Sequence, residues 1–286
     1  MPEVSEVALT TDILNKYLKG KKLISVKINS GRYTTHPLEG VNDFKKKLPM
    51  KLVKVDSMGK FIWFEFKPGP SLVKPGKDNW YIWNTLGLTG MWSVTKPDSY
   101  RLAFKFSNRT IYYSDTRNFG TFKFTSDTVA LNKKIKELSP DFLKTSNFSL
   151  AKVQKYKMPI VKILMDQKKV GSGLGNYLTA EILYRAKISP HRLGTKITTR
   201  ELATLKYWIK YVVKLAYIDN HTGYMVNLEK EADKVKRKRY HPKIKIRERT
   251  FKFYVYRRKT DPYGNRVKID KIIGGRSTYW VPSVQK

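Results

Sequence analysis

Pro2 and Glu3 are the first residues whose types and placement suit covalent chemistry. Trimming of Met1, usual before a small residue, would leave proline as the N-terminus. Its secondary amine is a good nucleophile toward an aldehyde-level carbon and forms an iminium there. A free α-amine titrates near neutrality, so part of it is neutral at pH 7. The positive end of a following helix disfavours the cation and enlarges that fraction. Glu3 stands beside it and can pass protons to and from a reacting group. The same dipeptide is also an ordinary helix start, and on residue types alone both readings stand.

Four further constellations suit anion contacts or insertion into a stack. Gly171-Ser-Gly-Leu-Gly-Asn176 joins two helical stretches, and its glycines would let the backbone approach a phosphate at the start of the next helix. The spacing is not a dinucleotide fingerprint, because Asn176 stands where the last glycine would fall. An ordinary helix connection is the alternative. Gly59-Lys60 enters the apolar run FIWFEF, where lysine is either an anion contact or a solvated charge. In Asp115-Thr-Arg-Asn-Phe-Gly120, Arg117 and Phe119 suit either a wedge between bases or a turn packed on a core. Arg276, behind Gly274-Gly275, sits at a hairpin tip that suits a phosphate. The cluster Lys234–Arg239 is less specific: an import patch, a nucleic-acid patch or a solvated loop.

These residues belong to a chain of 286 residues with 58 Lys+Arg against 23 Asp+Glu, a net charge of +35. A polyanion is the expected partner, nucleic acid before an anionic membrane surface. The 41% hydrophobic content supports a packed core, and 13% aromatics supply rings that can stack on bases. No apolar run is long enough to span a membrane. The start MPEVSEV is not a signal peptide, so an intracellular, non-secreted protein is expected. There is no cysteine, which excludes disulfides, a thiol nucleophile and a cysteine zinc site. The four histidines are far apart in sequence, so no metal is expected.

The elements that must position these groups are legible in outline. Residues 3–18 place Val4, Val7, Leu14 and Leu18 near one helical face, with Pro2 at the helix start and Gly20 at its end. Strands are expected over 23–28, 61–66, 80–83, 102–106, 110–113 and 121–124, with a hairpin turn at Ser107-Asn108. Short strands with turns between them predict a sandwich or barrel. The pattern turns helical from about 130 to 220, with Thr198 and Glu201 as a capping box. Residues 234–259 hold 13 Lys/Arg against one acid, Glu248. The stretch from Thr250 to Lys286 alternates again, in FKFYVYRRK and then STYWVP, and reads as a hairpin.

The order of these motifs resembles one family. N-terminal PE, MGK before an aromatic strand, DTRNFG, GLGNYLTAE and a terminal GRSTYW together resemble the formamidopyrimidine-DNA glycosylase and endonuclease VIII (Fpg/Nei) family over essentially the whole chain. The resemblance implies an α+β fold. An N-terminal β-sandwich domain with an N-terminal helix would span 1–127, a helix–two-turn–helix domain 128–245 and a β-hairpin finger 246–286. It implies a bifunctional DNA glycosylase and abasic-site lyase of base excision repair. Oxidised bases would be removed, pyrimidines favoured, through a Schiff base and β,δ-elimination.

Carried over by motif, Pro2 resembles the Schiff-base nucleophile and Glu3 the general acid/base. Lys60 resembles the catalytic phosphate-contacting lysine, Asn176 the phosphate-binding asparagine and Arg276 the finger arginine. Lys162 and Glu181 lie in the flanking helices and would help position DNA or the asparagine turn. Arg117 and Phe119 resemble residues that fill the gap left by an everted base. Leu88, in Gly87-Leu-Thr-Gly90, replaces the usual methionine of that set, and Asn118 replaces a frequent arginine. Many members bind zinc through cysteines in the finger. Here Val281 and Val284 occupy cysteine positions, which resembles the zincless branch, with a giant virus as expected source. Contacts from Val281, Val284, Trp280, Phe253 and Tyr256 would replace the metal. The segment from about Gly223 to Pro242 would influence lesion preference.

The expected partner is damaged duplex DNA, with single-stranded DNA as an alternative. The protein would be a monomer with no cofactor, metal or membrane, working in a nucleus, viral factory or virion. A non-catalytic damage sensor and an RNA- or ribosome-associated protein are the competing classes. Intact Pro2, Glu3 and Lys60 oppose the first, and the Pro-Glu start with a long β-rich domain opposes the second.

Overall fold

Val4–Leu18 forms helix α1 in the computed structural model, which describes residues 2–69, 79–219 and 244–286. The helix starts at Val4, so Pro2 precedes it and does not occupy its first position. Every residue from Val4 to Leu14 is buried, so α1 has no solvated face over three turns, unlike the amphipathic helix expected. Its polar side chains are satisfied locally: Thr10 donates to the Glu6 carbonyl and Thr11 to the Ala8 carbonyl. Gly20, at φ 82°, ends the run.

The described residues divide into two compact units. The first takes in Pro2 and 6–135. Strands β1 (Lys22–Ile28), β2 (Met50–Met58), β3 (Phe61–Pro68), β4 (Trp80–Thr85), β5 (Met91–Ser93), β6 (Leu102–Phe106), β7 (Thr110–Ser114) and β8 (Thr121–Thr125) pair antiparallel. Their order is β5-β7-β6-β1-β2-β3-β4-β8, and no pairing joins β5 to β8, so the sheet is a sandwich and not a closed barrel. The Trp92 ring on β5 meets Phe104 and Tyr113 on its own side, and Phe64 and Phe122 from β3 and β8. Those contacts close the two layers over one core. Asn15 ties α1 to the sheet, accepting from the Val55 amide at 2.8 Å. Short helices α2 (Arg32–Thr35) and α3 (Val41–Lys46) and the later α4 (Thr128–Lys136) complete this unit.

The second unit takes in Glu3–Ser5 and the described residues of 136–221 and 239–286. Its helices are α5 (Ile160–Met165), α6 (Asn176–Arg185) and α7 (Thr199–Ile218). Thr198 and Glu201 form the expected capping box at the head of α7, a device worth roughly 0.5–2 kcal/mol. Strands β9 (Lys268–Ile273) and β10 (Arg276–Trp280) form the terminal hairpin around Gly274-Gly275, both at positive φ. The expectation of a strand over FKFYVYRRK is corrected: this stretch pairs with no strand. Three of its central amides, those of Tyr254, Val255 and Tyr256, are taken by a buried side chain described below, and Arg257 at φ 57° breaks the extended run. No helix of the described residues is long and apolar enough to cross a membrane.

Candidate active site and nucleic-acid interface

In the first unit, Pro2 is buried ahead of α1. Lys60 lies at the tip of the β2–β3 hairpin, where Met58 pairs with Phe61 and Gly59 takes φ 57°. A two-residue turn of this kind needs positive φ, which explains the glycine before the lysine.

Leu88, Arg117 and Phe119 come from two loops that interlock. Thr89 donates to Asp115 at 2.5 Å and accepts from the Arg117 amide at 3.1 Å. The other Asp115 oxygen accepts from the Gly120 amide at 2.7 Å and from the Tyr33 hydroxyl. Tyr33 is itself pushed up to about 12 by burial, with the Asp115 charge adding to the effect, so its hydroxyl stays a donor. A Cβ at Gly87 would lie 2.6 Å from the Phe119 carbonyl carbon, so the loops touch closely. Asn118 is left-handed at φ 54°. That geometry turns Phe119 outward, 49% exposed, with the Arg117 guanidinium 5.0 Å from its ring centre. An exposed, rigidly mounted arginine and ring suit a base stack.

In the second unit, the helix start expected to receive a phosphate holds an internal carboxylate instead. Glu3 Oε2 accepts from the Gly175 amide at 2.5 Å and the Leu178 amide at 3.3 Å, and Oε1 accepts from Tyr177 at 2.9 Å. These are the free N–H groups of the first turn of α6, where a negative group is favoured. The phosphate expectation for these backbone groups is thereby corrected. The glycines serve close packing: a Cβ at Gly171 would fall 1.9 Å from the Phe142 ring, and one at Gly173 2.4 Å from the Val4 Cβ. The Val4 amide also donates to the Gly173 carbonyl at 3.0 Å. The residue beside Pro2 is therefore held from both sides of its peptide by the 173–178 segment.

Asn176 opens α6, and its Nδ2 donates to the Ser277 carbonyl at 2.7 Å. This contact brings Asn176 to the backbone next to Arg276, which is exposed at the hairpin start. Lys162 is exposed on α5. Glu181 does not brace the asparagine turn. Fully buried in α6, it accepts from the amides of Tyr254, Val255 and Tyr256 at 2.9–3.0 Å and so holds the chain entering the finger. Burial pushes its carboxyl up, against the pull of the three amides and of Arg185. Arg185, on the same helix, pairs with both Glu248 oxygens and lies 4.2 Å over the Tyr254 ring.

Metal ligation does not fit the finger. The chain has no cysteine, and among the described residues no three His, Asp or Glu side chains cluster. Val281 is fully buried with Val255, Val267, Ala180 and Tyr184, and Tyr256 and Val284 pack against them. Of the expected substitutes, Phe253 packs with Tyr177 and Tyr256. Trp280 is the exception: its indole N–H donates to Asp270 at 2.6 Å, and its ring meets His191. Sequence reasoning missed Asp261, which is buried and accepts four bonds, from the Tyr184 hydroxyl, the Tyr263 and Asn265 amides and the Asn265 side chain. The string Asp261-Pro-Tyr-Gly-Asn265 carried a turn pattern that could have marked it. The segment Gly223–Pro242 and the cluster Lys234–Arg239 lie outside the described residues.

Three domain models cover this arrangement in order. The formamidopyrimidine-DNA glycosylase N-terminal domain matches residues 1–122, its H2TH domain 138–226 and its C-terminal domain 242–286. The chain belongs to the formamidopyrimidine-DNA glycosylase family. A formamidopyrimidine-DNA glycosylase of Zymomonas mobilis is 27% identical, with the match covering all of both chains. One from Streptococcus agalactiae is 29% identical over 72% of this chain and 74% of the relative. Among solved structures, MutM in complex with DNA containing carbocyclic 8-oxo-G has a TM-score of 0.78 at 23% identity over all of both chains. The Lactococcus lactis Fpg with an oxidised-pyrimidine DNA gives 0.78 at 22% identity, again over all of both chains. These likenesses show the α+β fold with its β-sandwich, H2TH region and terminal hairpin.

Proposed function

We propose that this member of the formamidopyrimidine-DNA glycosylase family is a bifunctional DNA glycosylase and abasic-site lyase of base excision repair. Its substrates are oxidised bases in damaged duplex DNA, with pyrimidines favoured. The observation that carries the reading is the Pro2-Glu3 pair, with the Glu3 carboxylate fixed on three amides at the start of α6, those of Gly175, Tyr177 and Leu178. Fixed donors and acceptors beside a nucleophile do not need to reorganise during reaction.

In this reading the Lys/Arg surface binds DNA and the damaged nucleotide is everted, at a cost of a few kcal/mol that the lesion lowers. Arg117, Phe119 and Leu88 fill the void. The Pro2 nitrogen, freed by removal of Met1, attacks C1′ and the base leaves. Glu3 passes a proton as the sugar ring opens and an iminium forms. That electron sink acidifies C2′, and loss of its proton expels the 3′ phosphate. A second elimination, with Arg276 and Lys60 on the phosphates, releases the 5′ phosphate. Asn176 and Lys162 hold the flanking backbone.

Two relatives supply support for the substrate class: one solved structure carries a carbocyclic 8-oxo-G and another an oxidised pyrimidine. The test is single-turnover excision from duplexes with thymine glycol or 8-oxoguanine, with end-group analysis of the cut strand. Faster release of thymine glycol, with phosphate at both ends of the gap, is the expected result. Base release with an intact backbone would remove the lyase part. Faster release of 8-oxoguanine would remove the pyrimidine preference.

A further inference from the structure

The finger carries a second projection that the scheme above does not use. Residues 259–267 form a small hairpin: the Val267 amide donates to the Lys259 carbonyl at 2.9 Å, Thr260 bridges Arg266, and the Asp261 amide donates to Asn265. Gly264, at φ 84°, turns the tip. Tyr263 stands on that tip and is 83% exposed, the most exposed large hydrophobic side chain of the described residues. The tip is nonetheless tightly held, because the buried Asp261 carboxylate clamps the Tyr263 and Asn265 amides to the Tyr184 hydroxyl on α6.

The charges around the ring all have one sign. Lys259 and Arg266 are exposed on the hairpin, and Arg258 is exposed just ahead of it. Asp261, its only acid, is turned inward on four donors. Lys259 and Arg266 have no acidic partner among the described residues. A fixed, solvent-facing ring with unpaired cations on both flanks is the arrangement that stacks a base and neutralises its phosphates. A paired base inside a duplex hides its face, so the ring can be used only by an unpaired base. We propose that the 259–267 hairpin is a binding surface for an unpaired nucleic-acid strand, with Tyr263 as the stacking platform and Lys259 and Arg266 on the phosphates. The proposal rests on the DNA-binding reading above and extends it to the strand context of the lesion.

The test is equilibrium binding of the full chain to a short duplex with an abasic analogue, either blunt or extended at one end by single-stranded oligothymidine. The extension should tighten binding at least about fivefold, the lower end for one stacked base. Tyr263→Ala should abolish that gain and leave blunt-duplex affinity unchanged, and Tyr263→Phe should retain it. Lys259→Gln with Arg266→Gln should lower the salt slope on extended DNA by about 1.4, or 0.7 per lost phosphate contact on a single strand. No gain from the extension, a gain that survives Tyr263→Ala, or an equal loss on blunt and extended DNA would overturn the proposal. So would displacement of the strand by polyglutamate as effectively as by oligothymidine, which would mark an acidic protein as the occupant. Borohydride trapping on duplexes of the same sequence and extension, carrying a true abasic site in place of the analogue, separates the two readings. Trapping without an extension effect sinks this proposal alone, and an extension effect without trapping sinks the catalytic reading alone.

Discussion

The Glu3 carboxylate accepts the backbone N–H of Tyr177 at 2.9 Å, across 174 positions of sequence. The residue next to Pro2, the proposed nucleophile, therefore also caps helix α6, whose first side chain, Asn176, reaches the finger backbone at Ser277. Replacing Glu3 by Gln keeps its size but leaves one oxygen for three N–H groups and turns an NH2 against at least one of them. The expected cost is about 1–3 kcal/mol of stability. Excision should fall by about a hundredfold or more, while affinity for an abasic analogue falls less. Calorimetry and single-turnover rates on Glu3→Gln check both.

Gly173 is the second contact on that segment. It holds φ 109°, and an added Cβ would meet the Val4 Cβ at 2.4 Å. Gly173→Ala is expected to cost about 1–3 kcal/mol in backbone strain and to displace Val4, and with it Pro2 and Glu3. The excision rate should suffer more than DNA affinity does. Rates and affinities measured on the same variant decide this, since an equal loss would mean that only folding is affected.

The finger depends on carboxylates and packing. Asp261→Ala strands the Tyr184 hydroxyl and the Tyr263 and Asn265 amides, so melting should fall by the equivalent of about 1–3 kcal/mol or more. Prolonged treatment with a zinc chelator should leave melting and excision unchanged. A drop in either on chelation would contradict the description of the finger.

Acid should loosen the second unit first. Burial alone would raise Asp261, Asp270, Glu201 and Glu248. The donors on each outweigh it: Asn265 and Tyr184 on Asp261, His191 and Trp280 on Asp270, Thr198 and Arg192 on Glu201, Arg185 on Glu248. All four therefore sit below the ordinary carboxylate range when folded. Their contribution is present above the unfolded values and is lost as pH falls through the folded ones. Hydrogen exchange followed downward from about pH 5 should show 251–286 opening before the β-sandwich.

Much of this was legible in the sequence, because short-range patterns report short-range physics. Thr198 and Glu201 marked α7, and alternation marked six of the eight strands of the β-sandwich. Strand β2 escaped because its pairing register shifts between Leu52 and Lys54, which breaks the period of two. Strand β5 has three residues, too few for a pattern. Residues Phe251–Lys259 alternate yet form no strand, because Glu181, in a helix about 70 positions earlier, takes the amides of Tyr254, Val255 and Tyr256 at their centre. The same limit hid the cap on α6. Nothing local to Glu3 says that its oxygens face Gly175 and Tyr177, and residue type alone left Pro2 open between a nucleophile and an ordinary helix start.

The most direct measurement is borohydride trapping of the untagged protein, with removal of Met1 verified by mass spectrometry, on duplexes containing an abasic site, thymine glycol or 8-oxoguanine. The expected result is a covalent adduct that maps to Pro2, and a reduced but present adduct in Pro2→Gly, which puts a primary amine in place of the secondary one. No adduct on any duplex despite salt-sensitive binding, or full activity with the same adduct in Pro2→Gly, would contradict it.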